Sequence, residues 1–169
     1  MESFVSQPYV PKLSLMYSSE LHRDDFIAHP NTERQCYGYV PEIRSNGIVL
    51  PAGDIYLRAG RHFGPNKGFG VRHIWDEHRH ELTRIGCKAI DQVANYVASV
   101  IVHNAPIYCE FVLKPNGYRV AVLRSSKGYA ILDPILNDDQ EIQFYSVVTA
   151  YKLRRSGHGT EVGRVICDT

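Results

Sequence analysis

The chain has 169 residues, long enough for one domain with a real core, or for one domain plus an appendage. Hydrophobic residues make up 44% and charged residues only 22%, a balance that excludes a disordered chain. With 19 basic and 18 acidic side chains the net charge is +1, so any nucleic-acid contact has to come from a local basic patch.

In chain order, residues 1–53 read as an irregular segment that wraps the core. Pro8, Pro11, Pro30, Pro41 and Pro51 interrupt its short apolar pieces. Residues 18–28 have room for about two helical turns, with Ser18 or Ser19 as the cap. Ile48-Val-Leu-Pro51 and Asp54-Ile-Tyr-Leu-Arg58 read as short strands.

The stretch that follows is the most unusual in the chain. Gly64-Pro-Asn-Lys-Gly-Phe-Gly70 holds three glycines in seven residues, which permits positive φ and close approach to a ligand. Directly behind it, Val71 to Leu82 carries His73, His78 and His80 among arginines and carboxylates. A loop that delivers a polar cluster onto a helix start is expected. The spacing fits neither a Walker loop nor a complete dinucleotide fingerprint.

Apolar or neutral residues then recur at 74, 78, 82, 85, 89, 93, 97 and 101, the steps of three and four of a helical stripe. Gly86 divides this stripe into two helices, about 72–85 and 88–103, and Pro106 ends the second. Beyond Pro106 the period changes to two. Strands are expected at 107–113, 118–124, 129–133 and 141–151, joined by turns at 114–117 and 125–128 and a polar loop through 137–139. On the last strand Thr149 and Tyr151 share one face with Gln143, Tyr145 and Val147. Such a hydroxyl pair is also what plain β-propensity gives. The expected fold class is therefore α+β: an irregular N-terminal segment and two helices packed on a four-stranded antiparallel meander. The expected division is 1–53, 54–156 and 157–169.

Cys36, Cys87, Cys109 and Cys167 form no Cys-x-x-Cys pair and read as free thiols rather than a disulfide framework or zinc ligands. His73, His78 and His80 with Asp76 and Glu77 are rich in ligand types. On one helix, however, His73 and His78 lie about 140° apart, and His73 and His80 about 10 Å apart along the axis, so no metal is expected. The remaining histidines, His62 included, have no local constellation. His78, on the apolar stripe, also fits a packing role, and His80 fits a solvated one. The first residues lack a basic stretch followed by an apolar run, and nothing approaches a membrane span, so a cytoplasmic site of action is expected, with no membrane contact.

Gly-Phe-Gly-x-x-His-Ile at 68–74, followed by a meander ending in Val-Val-Thr-Ala-Tyr at 147–151, resembles the barnase/EndoU/colicin/RelE-like ribonuclease superfamily, and most nearly its toxin and phage-associated branches. The resemblance covers about residues 54–152. It implies a metal-independent endoribonuclease without a cofactor, a toxin or an effector delivered into a target cell, that cuts tRNA or another structured RNA through a 2′,3′-cyclic phosphate. It implies His73 as the catalytic histidine, Thr149 and Tyr151 at the scissile phosphate, and Arg72 and Lys67 as nearby cations. A cognate immunity protein or antitoxin is the implied partner beside RNA. With His73 as base or acid, Tyr151 or His78 is the candidate for the complementary proton transfer. Arg61, Lys67, Arg124 and Lys152 are candidates for RNA backbone contacts, and Phe63, Phe69 and Tyr151 for base stacking. Two other readings stand beside this one: an ADP-ribosyltransferase-like effector, and a non-catalytic binding protein on a nuclease-like fold.

Overall fold

The computed structural model describes residues 17, 20–152 and 159–168. Among these, eleven strands and two α-helices follow in the order β1 (Cys36–Val40), β2 (Ile43–Ser45), β3 (Ile48–Leu50), β4 (Gly53–Tyr56), β5 (Arg61–Gly64), β6 (Lys67–Phe69), α1 (Gly70–Arg84), a 3-10 turn (Ile90–Gln92), α2 (Val93–Val100), β7 (Pro106–Lys114), β8 (Gly117–Arg124), β9 (Gly128–Leu136), β10 (Ile142–Tyr151) and β11 (Thr160–Arg164).

The expected fold class is corrected here. The protein is mostly β, built on one curled seven-stranded mixed sheet of order β1-β4-β10-β9-β8-β7-β11. The strands after Pro106 do run as an antiparallel series, but β10 is not an edge. It pairs on its other side with β4, in parallel, through Tyr145↔Ile55 and Ser146↔Tyr56. The N-terminal stretch is not an irregular wrapping: β1 and β4 extend the sheet and β2 pairs with β3. Residues 20–28 form no helix. Phe26 instead bridges Arg58, and the proposed caps Ser18 and Ser19 lie outside the described residues.

α1 stops where Gly86 takes φ 96°. The amide of Gly86 donates to Thr83 and that of Cys87 to Leu82, the paired bonds of a Schellman ending. Beyond it the expected long second helix shrinks to the 3-10 turn and the eight residues of α2, because Ala89 is extended (φ −149°, ψ 158°).

Period-two alternation divides the sheet into two faces. Ile107, Cys109, Val120, Val122, Ala130, Leu132, Val147 and Ala150 are buried in a core shared with Val71, Ile74 and Leu82 of α1 and Val93 and Val97 of α2. The alternate residues Tyr108, Arg119, Ala121, Ile131, Thr149 and Tyr151 face an open groove. The register of β10 slips twice, between Ile142 and Phe144 and again at a bulge between Val147 and Thr149. Val147 therefore belongs to the core, and the expectation that it shares a face with Thr149 is corrected. Val148, Thr149 and Tyr151 all reach the groove. No helix among the described residues is long and apolar enough to cross a membrane.

Candidate active site

The groove, about 490 Å³, is floored by β7, β8, β9 and β10 and walled by α1 and the β5–β6 hairpin. Two glycines make the wall. Gly70 opens α1 at φ 77°, a conformation that L side chains rarely adopt. Gly68, at φ 142°, pairs with His62 across the hairpin, and a Cβ there would stand 2.7 Å from Nδ1 of His73. The backbone of β6 thus lies directly on the imidazole, and only glycine permits it.

Two polar groups meet in the groove. In the first, Nε2 of His78 lies 3.1 Å from Oγ1 of Thr149, and its ring sits 5.1 Å from that of Tyr151, tilted by 32°. Nδ1 of His78 is 4.0 Å from the Glu81 carboxylate. In the second, Nδ1 of His73 lies 3.0 Å from Nδ1 of His62, one donating to the other, with the rings stacked at 5.3 Å. His73 is only 3% exposed. Glu77, one turn beyond His73, accepts a hydrogen bond from the Asn66 amide at the hairpin tip.

Electrostatics give these groups defined protonation states. Desolvation lowers the pKa of His73, reinforced by His62 and opposed by Glu77 and Asp76. Desolvation also lowers that of His78, opposed by Glu77. Both imidazoles are neutral at pH 7. Tyr151 is shifted the other way, raised by burial and by Glu110 and Glu81, so its phenol keeps its proton. The rim carries Glu110, Lys114 and Arg119, and Arg119 holds Asp133 with two bonds of 2.6 and 2.8 Å.

Of the residues singled out in the sequence, His73, His78, Thr149 and Tyr151 line this one groove. Arg72 does not: its guanidinium donates to the backbone carbonyls of Tyr17, Gly60 and Leu21, and it acts as a clamp on the preceding segment. The cations Arg61, Lys67, Arg124 and Lys152 do not line it either. Arg61 lies over the Phe63 ring at 4.8 Å, Arg124 donates to the Ser99 carbonyl, Lys67 is exposed on β6, and Lys152 borders a separate cleft beside α2. Phe69 is covered by Arg58, 4.0 Å above its ring. His80 is exposed.

Lys114 and Arg119 escaped the sequence reading, His62 was set aside in it, and Glu77 was noted only in a metal reading that was not expected. A signal for His62 was present, since Pro65-Asn66 between flanking glycines is a hairpin turn and folds residue 62 back against 68. Glu77 is four residues from His73, on the same helical face. Comparison of the chain with family models, curated proteins and solved structures gives no match.

Proposed function

We propose that the protein is an endoribonuclease that needs no metal for cleavage and works through attack of a ribose 2′-hydroxyl on the adjacent phosphate. The observation that carries this reading is the meeting of His78 with Thr149 and Tyr151, beside His73, on one open groove of a size for a nucleotide.

The reaction requires a base, an acid and donors for the phosphoryl oxygens. A neutral imidazole, of His78 or of His73, takes the 2′-hydroxyl proton as the new O2′–P bond forms. The P–O5′ bond breaks on the opposite side, and the protonated phenol of Tyr151 gives its proton to the leaving oxygen. The Thr149 hydroxyl donates to a non-bridging oxygen, with Lys114 at the rim as the nearby cation. The products are a 2′,3′-cyclic phosphate and a 5′-hydroxyl.

The likeness of Gly-Phe-Gly-x-x-His-Ile and Val-Val-Thr-Ala-Tyr to the barnase/EndoU/colicin/RelE-like ribonucleases supports the same reaction. It also extends the proposal to a toxin or effector that acts on tRNA or another structured RNA and is held in check by a cognate inhibitor. Incubation of the purified chain with total tRNA in EDTA tests the reading. Fragments ending in 2′,3′-cyclic phosphate are expected, and intact RNA at high enzyme concentration overturns it.

A further inference from the structure

Three potential ligand atoms, one each from His62, His73 and Glu77, lie within 4.8 Å of one another. Tetrahedral ligands at zinc bond lengths of about 2.1 Å stand about 3.4 Å apart. The two Nδ1 atoms are 3.0 Å apart, so rotation of the imidazoles by a few tenths of an ångström admits an ion between them. His73 and Glu77 are held at i and i+4 on α1, and His62 reaches them from β5. The site is therefore built on a helix and a hairpin. Glu77 is oriented by the Asn66 amide, which holds one carboxylate oxygen, the kind of outer support that metal ligands characteristically have. Two imidazoles and a carboxylate are a donor set that suits zinc and its neighbours in the first transition row. His73 and Glu77 both line the groove, so two of the three ligands border it.

We propose that His62, His73 and Glu77 form a transition-metal site of the zinc type that switches the groove off. The ion takes the Nδ1 lone pair of His73 and places a positive charge beside His78, so neither imidazole remains available as a base. Binding breaks the His62–His73 hydrogen bond, and the ring that donated it shifts its proton from Nδ1 to Nε2, so that both Nδ1 lone pairs face the ion. The ligand set stands on geometry alone, whereas the inhibitory consequence rests on the ribonuclease reading above.

The test uses the full chain, stripped of metal with a chelator and then titrated with Zn²⁺ by calorimetry. Binding of one equivalent is expected, weakened about tenfold or more in both His62→Ala and Glu77→Gln, the second a nearly isosteric change that preserves packing. Because Cys36 and Cys167 are half-buried free thiols, the same titration is run with Co²⁺. A tetrahedral spectrum without thiolate-to-cobalt charge transfer is expected. Unchanged affinity in both variants, or a thiolate spectrum, overturns the site. On RNA, the metal-free chain should cut and stoichiometric Zn²⁺ should stop it. Cleavage that appears only with Zn²⁺ overturns the inhibitory role, and a metal-free chain that cuts nothing overturns the ribonuclease reading while the titration still decides the site.

Discussion

Nε2 of His78 and Oγ1 of Thr149 stand 3.1 Å apart although 71 residues separate them in the chain, and this contact joins the helical wall of the groove to its floor. A histidine on the stripe that otherwise packs the core spends its ring on a strand hydroxyl instead.

His78→Ala should lower kcat for RNA cleavage by about 10²–10⁴-fold, the usual worth of a positioned proton carrier. Thr149→Val should lose part of this and Thr149→Ser should restore it, because the hydroxyl is retained. Steady-state rates alongside circular dichroism separate these effects from misfolding. A His78→Ala protein with wild-type rates would remove the imidazole from the reaction.

Activity should persist to lower pH than an ordinary histidine allows, since desolvation lowers the pKa of both His73 and His78. The acid limb of kcat/KM should therefore fall below about 6.5. Stability carries the same sign. A folded-state pKa below the unfolded value means that the unfolded chain binds more protons in the intervening window, so stability is intact above about 6.5 and declines as pH falls from there through the folded pKa. Thermal melts of wild type and His73→Gln across this range check the point: the variant should show the shallower decline.

Arg72→Ala should behave as a folding variant. Its three donors satisfy backbone carbonyls of residues 17, 21 and 60, and orphaned carbonyls cost about 1–3 kcal/mol each where they stay dry. A loss of at least about 2 kcal/mol in urea unfolding is expected, with the folded fraction keeping its activity per molecule. A stable but inactive Arg72→Ala protein would contradict this.

Gly68→Ala should damage the groove by displacing the His73 ring. The added methyl meets the Arg61 carbonyl and the His73 ring at a backbone φ of 142°. The strained conformation alone costs about 1–3 kcal/mol. Lower Tm and lower kcat together are expected.

What was legible in the sequence was local. Gly86 as a helix stop and the alternation from Ile107 onward are short-range patterns, and the structure has its helix end and strands there. What was not legible depended on distant partners. Nothing near Ile55 announces that it lies beside Tyr145, so the short strand read at 54–58 had no place in the sheet and β1 was not read as a strand. Arg72 looked like a phosphate ligand by its place next to His73, yet its partners are carbonyls with no side-chain identity to read. His62 gained its meaning only once the hairpin brought it to His73.

The parallel seam between β4 and β10 has a consequence for biosynthesis. β10 is the strand on which the early and late portions of the sheet converge, and joining them closes a loop of some ninety residues, a slow and entropically costly step. While a ribosome is still making residues before 142, the nascent chain holds His73 and His78 without Thr149 and Tyr151 beneath them. The groove is therefore complete only after β10 has been made and has joined β4.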